Sequence, residues 1–418
     1  MKICFVSAFP PSKMALNEYG YHIARELQTD PLVSLTIVGD ELPQPEPELP
    51  DFNVLRAWKI NRLSNHHRLL KTLREVRPNV VWFNLIFSSF GSKDSPLAAF
   101  SGLTLPAMTR MAGYYTHVTL HHLMDFIDLG DAGVRYKSLF RAAGHLATRM
   151  ILAANSVSVL LPAYRRTLID KYRGENIHFR AHGILSARPE YPDFSRRGNP
   201  EHRILAFGKW GTYKRCEMLI ESFEDEILKR VPSAKLIIAG SNNGNAPGYI
   251  ESLRETYKKN PKVEFMGYIP EEQISELFGT SSLMVLPYTS ATGASGVAHL
   301  AAQYGLPIVS SDIPDFREMC ESEGLAIKFF PVGDKSAMAT QIIELLGSPQ
   351  EQEEMAEQNF SAALRMTMPQ IIRQYLRAFD RHQRARAIEA VSRFRRLPAW
   401  IPSRSAIFRA STPRWGVW

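Results

Sequence analysis

Short apolar, β-rich runs alternate with amphipathic stretches along most of the chain. In the first half the runs fall at 3–8, 33–38, 80–83, 117–120, 157–161 and 177–181. In the second half they fall at 204–207, 235–239, 263–266, 283–286, 308–310 and 326–330. Near-continuous apolar runs of this length suit parallel strands buried on both faces. Helical periodicity lies between them, at 18–28, 66–76, 216–229 and 273–279, and later at 335–346, 350–364 and 369–395. Such repeated alternation predicts open, doubly wound parallel sheets. The pattern runs through twice. It breaks near 188–200, a polar stretch with Pro189, Pro192, Gly198 and Pro200 that reads as a linker. Two such halves leave a cleft at the carboxyl ends of their strands, where ligands bind.

Composition narrows this picture only slightly. A chain of 418 residues, 45% hydrophobic and 22% charged, fits a globular protein of two domains. Cys4, Cys216 and Cys320 are scattered and odd in number, which suggests neither a disulfide framework nor a zinc site and fits a reducing cytoplasm. The apolar start is too short to span a bilayer and runs into Pro10-Pro11. The net charge of +8 is uneven: residues 381–418 hold nine arginines against Glu389 alone. Aromatic residues interleave with them, including Trp400, Trp415 and Trp418, so this tail is a candidate for peripheral contact with an anionic membrane. No nucleic-acid recognition motif accompanies the basic charge.

Two runs carry candidate chemistry. Phe207-Gly208-Lys209-Trp210-Gly211-Thr212-Tyr213-Lys214-Arg215 follows a strand and opens a helix. Its glycine lets the backbone approach a ligand, and its cations suit a diphosphate on which charge grows as a bond breaks. The second run, Leu286 to Leu300, contains Thr292, Gly293, Ser295 and Gly296 and leads into a helix starting near Ser295. The first amides of such a helix, with its dipole, form a seat for phosphate. Either run alone is also compatible with a solvated basic loop or a capped turn.

Together their order resembles the donor domain of the retaining GT-B glycosyltransferases of family 4, the glycosyl transferases group 1. The resemblance extends over 200–380. It includes Gly208-Lys209 with Lys214 at the family spacing, the strand end Ala239-Gly240, and Val263 to Pro270, where Tyr268 and Ile269 are expected to face the base. Leu286-Pro287, Gly305-Leu306-Pro307-Ile308-Val309 and an element ending in Glu318 complete it. The first half matches more loosely, through Thr119-Leu120-His121 and His182-Gly183-Ile184. Met14-Ala15-Leu16 stands where the family has a glycine pair. The family's two glutamates, eight positions apart, are replaced by Thr292 and Leu300. Thr292 still offers a hydroxyl to a sugar, whereas Leu300 offers nothing to a ribose diol.

The resemblance implies a GT-B fold, two Rossmann-like doubly wound parallel-sheet domains facing a cleft: 1–190 on the acceptor side, 201–380 for the nucleotide sugar, and a basic helix end and tail at 381–418. It implies retaining transfer of a hexose from a UDP- or GDP-sugar to a glycan or lipid-linked acceptor in surface polysaccharide or glycolipid synthesis. The expected catalytic residues are His121, Lys209 and Lys214. The expected donor-binding residues are Gly208, Arg215, Tyr268, Ile269, Thr292, Gly293, Ser295, Gly296 and Glu318. No metal site and no resident cofactor are expected, the nucleotide sugar being substrate. Glu224-Asp225-Glu226 reads as a solvated helix face. A cytoplasmic enzyme, peripheral at the inner face of the membrane, fits this set. The lost glutamate pair leaves two alternatives, a sugar-nucleotide epimerase and a non-catalytic nucleotide-sugar-binding scaffold.

Overall fold

A computed structural model describes residues 1–44, 46–92, 95–126, 137–194, 201–243, 246–290 and 293–395. Thr292 and the tail beyond 395 lie outside the described residues. The first sheet has seven strands: β1 (Lys2–Val6), β2 (Ser34–Asp40), β3 (Val54–Trp58), β4 (Val80–Leu85), β5 (Tyr115–Leu120), β6 (Ser156–Val159) and β7 (Ile177–Phe179). The second has six: β8 (Arg203–Phe207), β9 (Lys235–Ala239), β10 (Val263–Gly267), β11 (Leu283–Leu286), β12 (Ile308–Ser311) and β13 (Ile327–Phe330). Every described strand pair is parallel.

The connecting helices are α1 (Asn17–Gln28), α2 (Asn65–Val76), α3 (Pro96–Leu103), α4 (Leu105–Met111), α5 (Lys137–Leu152) and α6 (Pro162–Tyr172) in the first half. In the second half they are α7 (Cys216–Ser222), α8 (Leu228–Arg230), α9 (Tyr249–Tyr257), α10 (Glu271–Gly279), α11 (Gly296–Gln303), α12 (Pro314–Glu323), α13 (Lys335–Leu346) and α14 (Pro349–Leu364). These elements belong to one compact unit, Met1–Met368. A second unit starts at Pro369, and its described part is the helix α15 (Met368–Arg395). Among the described residues no helix is long and apolar enough to cross a membrane.

The strand orders are β3-β2-β1-β4-β5-β6-β7 and β10-β9-β8-β11-β12-β13. Each order reverses direction beside its first strand, so a crevice opens between the ends of β1 and β4 and between those of β8 and β11. The central strands β4, β5, β11 and β12 are buried at every position, as strands covered on both faces must be, and the polar Asn84, His117 and Ser310 are buried with them. The two doubly wound halves expected from the alternation are therefore present.

Two local features differ from the periodicity. β3 has no counterpart among the apolar runs: it is an edge strand whose Leu55 is exposed and whose Arg56 reaches the loop after β1. The stretch expected as one helix over 216–229 contains a π-helical turn, Phe223–Ile227, between α7 and α8, with Phe223 and Ile227 fully buried. Asp225 there pairs with Lys335 at 2.8 Å, and Glu226 accepts from Ser336 at 3.0 Å, so the acidic run is a surface feature.

Candidate active site

The site grows from the ends of β8, β9 and β11. Gly208 has φ +138° and Gly240 has φ +111°. A Cβ on Gly240 would stand 1.9 Å from the Gly208 carbonyl oxygen, so only glycine lets the two strand ends touch. Beyond Gly208 the chain makes one 3-10 turn, Thr212–Lys214, which turns Lys214 back over the glycine. A Cβ on Gly208 would meet Lys214 Nζ at 2.7 Å and Val297 Cγ2, in the first turn of α11, at 3.3 Å. The Lys214 ammonium thus lies between the β8 loop and the head of α11. Thr289 locks these loops together, its amide and its hydroxyl both donating to the Tyr213 carbonyl at 2.8 and 3.1 Å.

Lys214 is 5% exposed. Its Nζ lies 4.8, 5.7 and 6.0 Å from the ring centroids of Tyr288, Trp210 and Tyr213. Among the described residues no carboxylate pairs with it. Burial, reinforced by Lys209 nearby, pushes its pKa down to about 8. The Tyr288 hydroxyl beside it is buried without a hydrogen-bond partner among the described residues. A buried cation and a buried hydroxyl, both unanswered, are unusual in a folded interior and mark a place for an anionic, hydrogen-bonding ligand. The other two cations stand differently. Lys209 is exposed, and Arg215 is exposed with its Nε 3.4 Å from Glu217.

Ser295 is the N-cap of α11, its Oγ accepting from the Ala298 amide at 3.3 Å. The amides at the head of the helix have no intrahelical acceptor. The Gly293 amide is already engaged, donating to Asp315 Oδ2 at 2.9 Å. Gly293 has φ +101°, and a Cβ there would stand 2.5 Å from the His121 carbonyl and 2.9 Å from the His122 ring. The phosphate-type loop of the second half therefore touches the end of β5 in the first. Tyr268 is 73% exposed while Ile269 beside it is buried.

Across this junction lies a row of buried polar rings. His121 Nε2 donates to Asn84 Oδ1 at 2.7 Å, and Asn84 Nδ2 donates to Ser7 Oγ at 3.1 Å. Tyr19 packs edge-on against His121 and donates to the His182 carbonyl at 2.9 Å. His182 in turn lies 4.9 Å, centroid to centroid, from His299 on α11. Burial drives His121 well below its ordinary value, with His182 and His122 adding to the effect, and pushes His182 down to about 3, so both are neutral. His299 behaves oppositely. Burial opposes its charge, but Glu323 and the Ser295 carbonyl outweigh that and raise its pKa. Its Nδ1 donates to Ser295 O at 2.7 Å. Its Nε2 is 3.0 Å from Glu323 Oε2, an ion-pair distance although the N–H is not aligned on the oxygen.

Helix α12 presents three carboxylates to three different elements. Asp315 takes the Gly293 amide, Glu323 faces His299, and Glu318 accepts from Arg166 of α6 at 2.7 Å. Glu318, expected near the donor, is thus partnered across the two halves. Among the described residues no group of three His, Cys, Asp or Glu is placed to hold a metal. Sequence reading gave no role to Asn84, Asp315, His299 or Glu323. Asn84 and His299 are each a polar residue inside an apolar stretch, Asp315 and Glu323 carry no such signal, and the pairs Asn84–His121, Gly293–Asp315 and His299–Glu323 join positions 22 or more apart.

This arrangement is the GT-B architecture, two parallel-sheet α/β domains meeting at the carboxyl ends of their strands. Residues 201–348, in the second half, match the family described as "Glycosyl transferases group 1". An uncharacterized glycosyltransferase of Methanocaldococcus jannaschii is 31% identical over 132 residues, 31% of this chain. That match spans 32% of the relative's length. Among solved structures, a sucrose-phosphate synthase from Thermosynechococcus elongatus aligns over 92% of this chain and 100% of its own, with TM-score 0.71 and 14% identity. Anabaena HepE in complex with UDP aligns over 91% and 100%, with TM-score 0.66 and 15% identity.

Proposed function

We propose that this chain is a retaining glycosyltransferase that moves a hexose from a UDP- or GDP-sugar to a glycan or lipid-linked acceptor. The observation that carries the reading is Lys214, a buried ammonium without a carboxylate partner among the described residues, held between a glycine loop and the head of a helix. Lowering its pKa from 10.5 to about 8 corresponds to roughly 3 kcal/mol of unfavourable burial at neutral pH. A diphosphate placed there relieves that cost and gains charge-assisted hydrogen bonds. Lys214, Lys209 and the first amides of α11 would stabilise the departing diphosphate, with Gly208, Arg215, Ser295 and Gly296 shaping its seat. Tyr268 and Ile269 would contact the base, and Thr292 and Glu318 the sugar side. His121, neutral and held by Asn84, would lie at the reacting carbon. The structurally similar Anabaena HepE was solved in complex with UDP, in keeping with a uridine donor.

The test is a thermal-shift panel of UDP, GDP and their sugars. A ligand that binds only the folded state at 100 times its dissociation constant stabilises by about 2.7 kcal/mol. One nucleotide series is expected to raise Tm clearly above the rest, and a flat panel contradicts the reading.

The same reading makes catalysis independent of a divalent ion, since Lys214 and the head of α11 meet the diphosphate charge. Transfer measured with and without EDTA should be equal. Full loss restored by magnesium or manganese contradicts it. Peripheral contact of a cytoplasmic enzyme with the inner membrane face, through residues 381–418, is tested by co-sedimentation with anionic vesicles. Salt-sensitive binding should weaken in a chain ending at Arg396, and equal binding by both chains excludes the tail.

A further inference from the structure

The Gly293 amide is held by a carboxylate that is itself held from the opposite half. Asp315 is 4% exposed, and its Oδ2 accepts from the Gly293 amide at 2.9 Å and from the Tyr164 hydroxyl at 3.3 Å. Asp315 begins α12 in the second half, and Tyr164 lies on α6 in the first. Tyr164 is fully buried, so its hydroxyl depends on this acceptor. A Cβ added to Gly293 would stand 2.5 Å from the His121 carbonyl oxygen, so the loop also lies close to the end of β5. The loop that leads into α11 is thus fixed at one atom by an acceptor whose second donor comes from across the cleft.

We propose that Asp315 and Tyr164 are positioning residues that set the Gly293 loop for the donor by tying it to the first half. This rests on the nucleotide-sugar reading above. Without Tyr164 the carboxylate loses a donor and the loop loses its tie to the first half. Without the carboxylate, a buried amide and a buried phenol are both orphaned, which costs more than either bond gains. Arg166 and Glu318, two positions after Tyr164 and three after Asp315, form a second contact between the same two helices, with Arg166 61% exposed and Glu318 buried. The pair acts through the loop and does not touch the reacting atoms, so its loss should raise the donor KM by a larger factor than it lowers kcat.

The experiment compares the full chain with Tyr164→Phe, Asp315→Asn and Asp315→Ala. Hydrogen exchange of the peptide covering 289–300 is read first, without ligand. The pair predicts at least ~10-fold faster exchange there in Tyr164→Phe and Asp315→Ala, with β1 and β4 unchanged. Asp315→Asn keeps an acceptor oxygen and should stand between them and the wild type. Donor KM should rise ~10-fold in Asp315→Ala and less in Asp315→Asn. Unchanged exchange in the folded Tyr164→Phe protein overturns the proposal, and so does unchanged KM beside altered exchange. If the wild type binds no nucleoside diphosphate, the donor reading fails and the positioning claim with it, even where exchange shows the pair holding the loop.

Discussion

Lys214→Ala is expected to lower sugar transfer at least ~100-fold while the protein remains folded. A cation aimed at developing charge in a dry site is typically worth a few kcal/mol of the barrier. The same burial makes an opposite prediction for stability. In the absence of ligand, Lys214→Met should stabilise the fold by roughly 2–3 kcal/mol at pH 7, because a depressed lysine pKa is a cost borne by the folded state. The sign follows from proton counts. Between pH 8 and 10.5 the unfolded chain holds a proton that the folded chain has released, so wild-type stability rises with pH across that window. The advantage of Lys214→Met should therefore shrink as pH rises from 8 towards 10.5. Donor affinity should fall through the same region as the ammonium is lost. Urea midpoints of the two proteins at pH 7 and pH 10 check this. A Lys214→Met protein less stable than the wild type at pH 7 would show the ammonium to be a structural strut.

Gly293→Ala is expected to abolish most activity, again by at least ~100-fold. The new Cβ would stand 2.5 Å from the His121 carbonyl, a backbone atom, with φ at +101°. The loop and the end of β5 must part, and displacement of about 1 Å at a reacting site costs on the order of 100-fold. Gly248→Ala is the matched control. It also requires positive φ, +80°, but nothing lies within 4 Å of its Cβ. Both should lose about 1–3 kcal/mol from backbone strain, and only Gly293→Ala should lose transfer. Equal activity in the two variants would remove the contact between loop and β5 from the mechanism.

The parts of the site legible in the sequence are those written locally. Lys214 stands six residues after a strand-ending glycine, and Ser295 caps a helix after a run of small residues, so spacing alone brings them forward. The buried strands were legible because short runs rich in apolar and β-branched residues, such as those of β4 and β11, recur between helical stretches. β3 was not, because an edge strand tolerates Arg56 and an exposed Leu55 and so lacks that signal. Asp315 could not be read as a loop anchor, since its partners are Gly293 and Tyr164, the latter 151 positions away. Glu318 shows the converse. Its place in a motif suggests a ligand contact, and the motif gives no sign of its pairing with Arg166, 152 positions distant. Local chemistry identifies which groups are available, and long-range packing decides which of them are already taken.

Isothermal titration of UDP and of GDP into the wild-type chain and into Lys214→Met at pH 7 reads the contribution of the buried ammonium to donor binding. One nucleotide should bind the wild type, and the substitution should weaken it at least ~100-fold, although the substituted protein is the more stable of the two. Equal affinity in both proteins, or no binding of either nucleotide to the wild type, would contradict this role of Lys214.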